Sequence, residues 1–189
     1  DSGVANVAQF KTSGIDVTSN LTVDADVLGL GDGQFTLRGS YTYLINLESQ
    51  TVADVLPDNA DGEIGAPKHR FNLNFGYRTD NWSIQWQTRF ISSVVLDDQF
   101  LTAQDCIDFE FDCRVNAEIY TDLQVRYTLP ESLTGATRVE VFGGIENVFD
   151  NDPPLIPTGL PGSDTGTETF AGSYDAVGRT LYLGARVKF

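Results

Sequence analysis

The chain has 189 residues, with 27 acidic against 12 basic side chains and a net charge of −15. That balance removes the basic footprint of a nucleic-acid groove and the polybasic patch of a membrane-surface binder. Apolar residues at 41% and aromatics at 11% are ordinary for a folded protein, yet no run approaches the roughly 20 apolar residues of a membrane-crossing helix. Neither a basic n-region with an apolar h-region nor a methionine opens the chain, so the N-terminus of an exported protein is expected upstream of Asp1.

Apolar and polar residues alternate with a period of two along almost the whole chain, the mark of half-buried strands. In the first segment, 14–27, Ile15, Val17, Leu21, Val23 and Ala25 oppose Asp16, Thr18, Asn20, Thr22 and Asp24. In the second, 34–48, Phe35, Leu37, Tyr41, Tyr43 and Ile45 oppose Gln34, Thr36, Arg38, Ser40 and Thr42. Segment 68–78 sets Phe71, Leu73, Phe75 and Tyr77 against Arg70, Asn72, Asn74 and Arg78, and 82–96 sets Trp82, Ile84, Trp86 and Phe90 against Ser83, Gln85, Gln87 and Arg89. Then come 119–129 (Ile119, Leu123, Val125, Tyr127 against Tyr120, Asp122, Gln124, Arg126) and 137–149 (Val139, Val141, Ile145 against Arg138, Glu140, Glu146). The last, 176–189, sets Leu181, Leu183, Ala185, Val187 and Phe189 against Thr180, Tyr182, Gly184, Arg186 and Lys188, with Arg179 as the exception on the apolar side.

These seven predicted strands are joined by short and long connections in strict alternation. Gly29–Gly33, Thr79–Asn81 and Pro130–Gly135 are short; roughly 48–67, 97–118 and 150–175 are long and hold most of the acid. A soluble β-sandwich explains the alternation within strands, but soluble strands average about 5 or 6 residues. A tilted strand crossing hydrocarbon needs about 9 to 11, and short turns at one end with long loops at the other is the plan of outer-membrane barrels. The fold class read here is all-β: an antiparallel, up-and-down transmembrane β-barrel segment of about seven strands. Phe35, Tyr77, Trp82, Tyr127 and Phe189 fall at the short-turn end, where an aromatic girdle belongs. A complete eight-stranded barrel with a structural or adhesive role, using Val4–Phe10 as an extra strand, is the first alternative. A soluble acidic sandwich that binds carbohydrate or calcium is the second.

Four blocks carry a family resemblance. Tyr182-Leu-Gly-Ala-Arg-Val-Lys-Phe189 resembles the C-terminal signal by which outer-membrane barrels are recognised by their assembly machinery, with Tyr182, Gly184, Val187 and Phe189 in its places. Gly144-Ile-Glu-Asn-Val-Phe-Asp150, with Glu146, Asn147, Phe149 and Asp150, resembles the block that closes the penultimate strand of TonB-dependent receptors. The stretch Tyr174-Asp-Ala-Val-Gly-Arg179, with Tyr174, Asp175, Gly178 and Arg179, resembles the one that leads into their last strand, and Lys11-Thr-Ser-Gly-Ile-Asp16 resembles the start of a strand further back. The resemblance implies a receptor integral to the outer membrane of a Gram-negative bacterium. Such receptors take up scarce, bulky nutrients such as metal chelates, cobalamin or oligosaccharides, powered by the inner-membrane TonB complex. A plug and a TonB box are then expected upstream of Asp1, and these strands are the last third of a 22-stranded wall. The implied partners are outer-membrane lipid and lipopolysaccharide, the assembly machinery, the TonB complex and a small-molecule or oligosaccharide substrate, with no nucleic acid.

Nothing in the sequence builds a catalytic centre or requires a cofactor. His69 alternates onto the apolar side near the outer rim, with no Ser or Cys placed beside it by sequence. Placing Gly62 at position 6 of a calcium loop puts Pro57 and Lys68 where ligands belong, so Asp58–Glu63 fails the EF-hand pattern. Cys106 and Cys113 suit a small loop disulfide in an oxidising compartment. The acids around them, Asp97, Asp98, Asp105, Asp108, Glu110 and Asp112, either share a divalent ion with lipopolysaccharide or are simply solvated. Arg38, Arg70, Arg78, Arg89, Arg126 and Arg186 line the polar side with Asp122, Glu140 and Glu146, placed to pair in the bore, meet a plug or touch solute.

Overall fold

The computed structural model describes residues 9–50, 55–97, 113–130, 138–156 and 168–188. Its long strands are β1 (Gln9–Asp24), β2 (Gln34–Gln50), β4 (His69–Arg78), β5 (Trp82–Ile91), β8 (Glu118–Leu129), β9 (Arg138–Glu146) and β10 (Thr180–Lys188). Three two-residue pieces, β3 (Asp58–Asn59), β6 (Val94–Val95) and β7 (Arg114–Val115), lie in the long connections. The long strands follow one another as an antiparallel meander, β1-β2-β4-β5-β8-β9-β10, in a single sheet. Each peptide group inside the meander therefore finds its partner on a neighbouring strand, as hydrocarbon demands.

The soluble sandwich needs a second layer of comparable size over the apolar face. Among the described residues the other sheet is only the β6–β7 pair, and Leu37, Leu73, Phe75, Trp82 and Leu183 stand exposed on the apolar face. Gln9 and Phe10, expected at the end of a separate eighth strand, instead begin β1, paired with Gln50 and Ser49. Residues 4–8 lie outside the described residues.

Strand ends depart from the periodicity where local chemistry intervenes. The first strand spans 9–24 rather than 14–27, because Ala25–Leu28 turn into a 3-10 helix closed by left-handed Gly29, with the Ala25 N–H donating to the Gly33 carbonyl at 2.8 Å. The strand expected over 82–96 stops at Ile91, and Val94 and Leu96 turn inward and are buried. The one expected over 137–149 runs 138–146, ending where Asn147 adopts φ 51°. The last begins at Thr180 rather than 176, after Gly178 at φ 79°. The remaining bounds, 34–50, 69–78 and 118–129, shift by two residues or fewer from 34–48, 68–78 and 119–129.

One irregularity has a visible cause. Gly14 faces Leu44 while Ser13 faces Asn46, so Ile45 is an extra residue on β2, a β-bulge. A Cβ on Gly14 would stand 2.7 Å from the Tyr43 carbonyl oxygen, which explains why glycine fills this place in the Thr-Ser-Gly-Ile-Asp block.

The outward face is zipped by rings. Phe35 stacks on Tyr77 at 4.7 Å and Trp82 tilts onto Tyr127 at 4.5 Å, both at the short-turn rim. Towards the loop end, Tyr43 stacks on His69 at 4.8 Å, Phe71 on Phe90 at 5.0 Å, and the Tyr41 hydroxyl lies 2.8 Å from His69 Nδ1. On the bore face rings instead lie across glycines: Tyr182 covers Gly144, and Phe142 covers Gly184 with Cζ 2.5 Å from where a Cβ would be. A methyl group at 144 would also meet the Leu123 carbonyl oxygen at 2.8 Å. Gly144→Ala is therefore expected to destabilise the sheet by about 1–3 kcal/mol through overpacking, read as a lower temperature for loss of the folded, fast-migrating gel band. An unchanged band would mean that the Tyr182 ring moves aside at no cost.

Candidate functional site

The bore face is assembled by cross-strand register. Asp122 and Arg89 stand near one another across β5 and β8, with Arg89 Nη2 3.7 Å from Asp122 Oδ2. Arg126 Nη1 lies 3.7 Å from Glu140 Oε1, its Nε donates to Gln124 Oε1 at 2.9 Å, and Gln124 Nε2 donates to the Tyr182 hydroxyl oxygen at 2.7 Å. The guanidiniums also sit over rings, Arg89 5.5 Å from the Tyr120 centroid and Arg126 5.7 Å from that of Phe142. Nearer the short turns a polar concavity of about 470 Å³ is lined by Arg38, Asn74, Arg78, Ser83 and Gln85. Such a wall is wet, hydrogen-bonding and charged. It can pass or hold a hydrated solute, whereas among the described residues no three His, Cys, Asp or Glu side chains group to hold a metal ion.

At the loop end the connections fold back over this face and make the molecule's buried core. Ile91, Val94, Leu96, Val115, Tyr120, Ile156 and Tyr174 pack together, with Ile64 and Phe170 against them. Arg70 ties two connections down by donating from Nη2 to the Gly65 carbonyl at 3.0 Å and to Ser173 Oγ at 3.3 Å. Backbone bonds add to this, Ile64 N–H to the Val95 carbonyl at 2.9 Å and Ile156 N–H to that of Glu168 at 2.7 Å. Burial pushes the Tyr174 phenol up to about 12, so it stays neutral here. Nearby, Lys68 Nζ lies 2.9 Å from the nearly buried Asp61 carboxylate. The Lys68 ammonium holds Asp61 below the usual carboxylate range, and Asp61 raises Lys68 in turn. Cys113 is disulfide-bonded; Cys106 lies outside the described residues, as do Asp98, Asp105, Asp108, Glu110 and Asp112.

Two sequence blocks some 30 residues apart meet at the rim of this cap. Asn147 is fully buried; its N–H donates to Asp122 Oδ1 at 2.9 Å, its Nδ2 to the Asn151 carbonyl at 2.9 Å, and its Oδ1 accepts the Asn151 N–H at 3.0 Å. Asn151 Nδ2 then reaches the Ile119 carbonyl at 2.6 Å. The turn so formed aims Asp150, at φ 57°, toward the start of β10: its Oδ1 accepts the Arg179 N–H at 3.0 Å and its Oδ2 the Arg179 guanidinium at 2.7 Å. Gly178 lies beneath, where a Cβ would stand 3.7 Å from Asp150 Oδ1. Asp175 Oδ1 accepts the Val177 N–H at 3.1 Å, Glu146 ends β9, and exposed Phe149 meets Trp86 edge-on at 6.4 Å.

The TonB dependent receptor-like β-barrel family matches residues 2–148. The chain belongs to that family. No curated protein and no solved structure matches it. As a TonB-dependent receptor barrel it contributes to an outer-membrane transport receptor, in a family of transporters rather than enzymes. The family match ends before Phe149.

Of the residues singled out by sequence, the structure gathers Glu146, Asn147 and Asp150 with Gly178 and Arg179 in one clamp and sends Tyr174 into the cap. Tyr182, Gly184 and Val187 remain spread along β10, and Phe189 lies outside the described residues. Sequence reasoning missed Asn151, Asp122 as the acceptor for Asn147, and Tyr120 as the cap's anchor. For Tyr120 a signal existed, since it is a large aromatic on the otherwise polar side of its strand.

Asn147→Ala is expected to cost on the order of 3 kcal/mol, through lost bonds to buried groups and an Ala forced to positive φ, measured by thermal unfolding in detergent. The Asp150 contribution is pH-dependent. Arg179 holds the Asp150 carboxyl below its ordinary 3.8, so the stabilisation is present above that value and is lost as pH falls through the depressed one. Asp150→Asn should thus lower the melting temperature at pH 7, by an amount that shrinks as the pH is taken below 3.8 and the carboxyl protonates.

Proposed function

We propose that this chain forms part of the wall of an active importer, in which the bore face lines the route of a scarce nutrient: a siderophore-like metal chelate, cobalamin or an oligosaccharide. One observation carries the reading. The same sheet presents ion-paired and amide-bearing side chains on one face and exposed Leu, Phe and Trp on the other. That division suits a wall between water and acyl chains. The loop-end cap then narrows the outer mouth, and the polar concavity around Arg38 and Arg78 borders the exit. Energy comes from the TonB complex acting through a part of the receptor other than these strands. Tyr182, Gly184, Val187 and Phe189 serve as the handle for barrel assembly, Cys113 bridges to Cys106, and lipid and lipopolysaccharide surround the outward face.

The test is nutritional. A strain lacking the receptor is grown with iron chelates, cobalamin or oligosaccharides as the limiting nutrient. Growth should fail on one class, return with the plasmid-borne receptor, and fail again when TonB is removed. Arg38→Gln combined with Arg78→Gln should slow that uptake several-fold with the folded gel band intact. Growth on every class without the receptor, or uptake that persists without TonB, would refute the reading.

A further inference from the structure

Guanidinium groups on the bore face are not all occupied. Arg89 lies against Asp122, Arg126 between Glu140 and Gln124, and Arg70 donates to Gly65 and Ser173. Arg38 and Arg78, on the same face, are exposed and make no ion pair or hydrogen bond with a described residue. Both border the concavity of about 470 Å³, together with Gln34, Asn74, Ser83 and Gln85, and no carboxylate lines it. That runs against the composition of a chain with net charge −15. Asp24, opposite Gln34 on β1, accepts a hydrogen bond from Gln34 Nε2 at 3.1 Å. A second concavity of about 180 Å³ shares Arg78 with Arg126 and Arg138, but Asp80 and Glu140 line that one.

A glycine keeps the larger hollow open. Register sets Arg38 opposite Asn74 and Arg78 opposite Gln34, with Thr36 opposite Gly76 on the row between. Gly144 and Gly184, also on the bore face, lie under rings that leave no room for a Cβ. At Gly76 a Cβ would meet nothing nearer than 3.9 Å, and the backbone there is not at positive φ. Neither packing nor backbone conformation calls for glycine at this place. What the missing side chain leaves is space between two unpaired guanidiniums. The arginines stand four residues apart in register, about 13 Å along the strands, so a solute that meets both does so best with two separate anionic groups.

We propose that this hollow binds a solute bearing at least two carboxylates, one for each guanidinium, with its other polar groups facing Asn74, Ser83 and Gln85. A guanidinium meets a carboxylate with two parallel hydrogen bonds, and a cleft lined by one sign of charge concentrates the opposite one. The inference rests on the reading of the bore as a nutrient's route and narrows it. Polycarboxylate metal chelates and acidic oligosaccharides fit the hollow; cobalamin and neutral oligosaccharides leave both cations unmatched.

The test uses the whole receptor in its own outer membrane and nutrients paired by charge. Ferric citrate is set against ferrichrome, and oligogalacturonate against maltohexaose, with cobalamin as a further member without carboxylates. Receptor-dependent uptake should be confined to a carboxylate-bearing member. Its KM should rise about tenfold in Arg38→Gln with Arg78→Gln, at an unchanged maximal rate and with the folded gel band intact. Gly76→Leu, which fills the hollow while both arginines stay, should raise KM similarly. If Gly76→Leu loses the folded band, the arginine pair alone decides, since those exposed side chains hold no described partner. Receptor-dependent uptake of a member without carboxylates, or a lower maximal rate at unchanged KM in the arginine pair, would overturn the proposal and leave the transport reading standing. Uptake of no member through the receptor would overturn both.

Discussion

A backbone amide in hydrocarbon has no water to fall back on, so each must find a carbonyl on the next strand. This constraint organises the rest of the chain. It requires strands long enough to span, neighbours in sequence that are also neighbours in space, and side chains sorted by face. The meander from β1 to β10 meets all three conditions, with one two-fold alternation running through long strands of 9 to 17 residues. Once the faces are sorted, the chemistry follows from the medium on each side. Rings stack outward, where their edges and faces replace solvent contacts. Charges pair inward, where water moderates their desolvation.

The same constraint explains why the buried core is displaced. A single sheet between lipid and water offers little to pack against, so among the described residues the buried hydrophobic cluster forms where loops return over the bore side. Tyr120, Ile91 and Tyr174 meet there with Val94, Leu96 and Ile156. The bore face and the clamp share a component, because Asp122 holds both Arg89 in the bore and the Asn147 turn at the rim.

How far the sequence could be read follows from what a period of two encodes. It marks which residues share a face, and so the strands, the rims and the short and long connections were legible from residues such as Phe35, Tyr77, Trp82 and Tyr127. It does not encode offsets between strands. The extra Ile45 opposite Gly14, the Tyr182 ring over Gly144 and the Asp150–Arg179 contact depend on register across strands or across a long connection, and no local pattern carries that. Strand ends failed for a related reason: Asn147 and Gly178 continue an acceptable alternation on paper, while their positive φ angles end the extended backbone. The Asn-Val-Phe-Asp and Tyr-Asp-Ala-Val-Gly-Arg blocks were visible as text, but their common purpose is visible only in three dimensions.

The Asp150–Arg179 clasp separates two jobs that a long hairpin connection usually confounds. With the exit from β9 and the entry to β10 fastened to each other, the intervening stretch is closed at its base whatever its length, and closure entropy grows only with the logarithm of added residues. The final hairpin thus behaves like a socket with an interchangeable head. Insertions between the fastened ends lengthen the connection, while the wall beneath keeps its alignment.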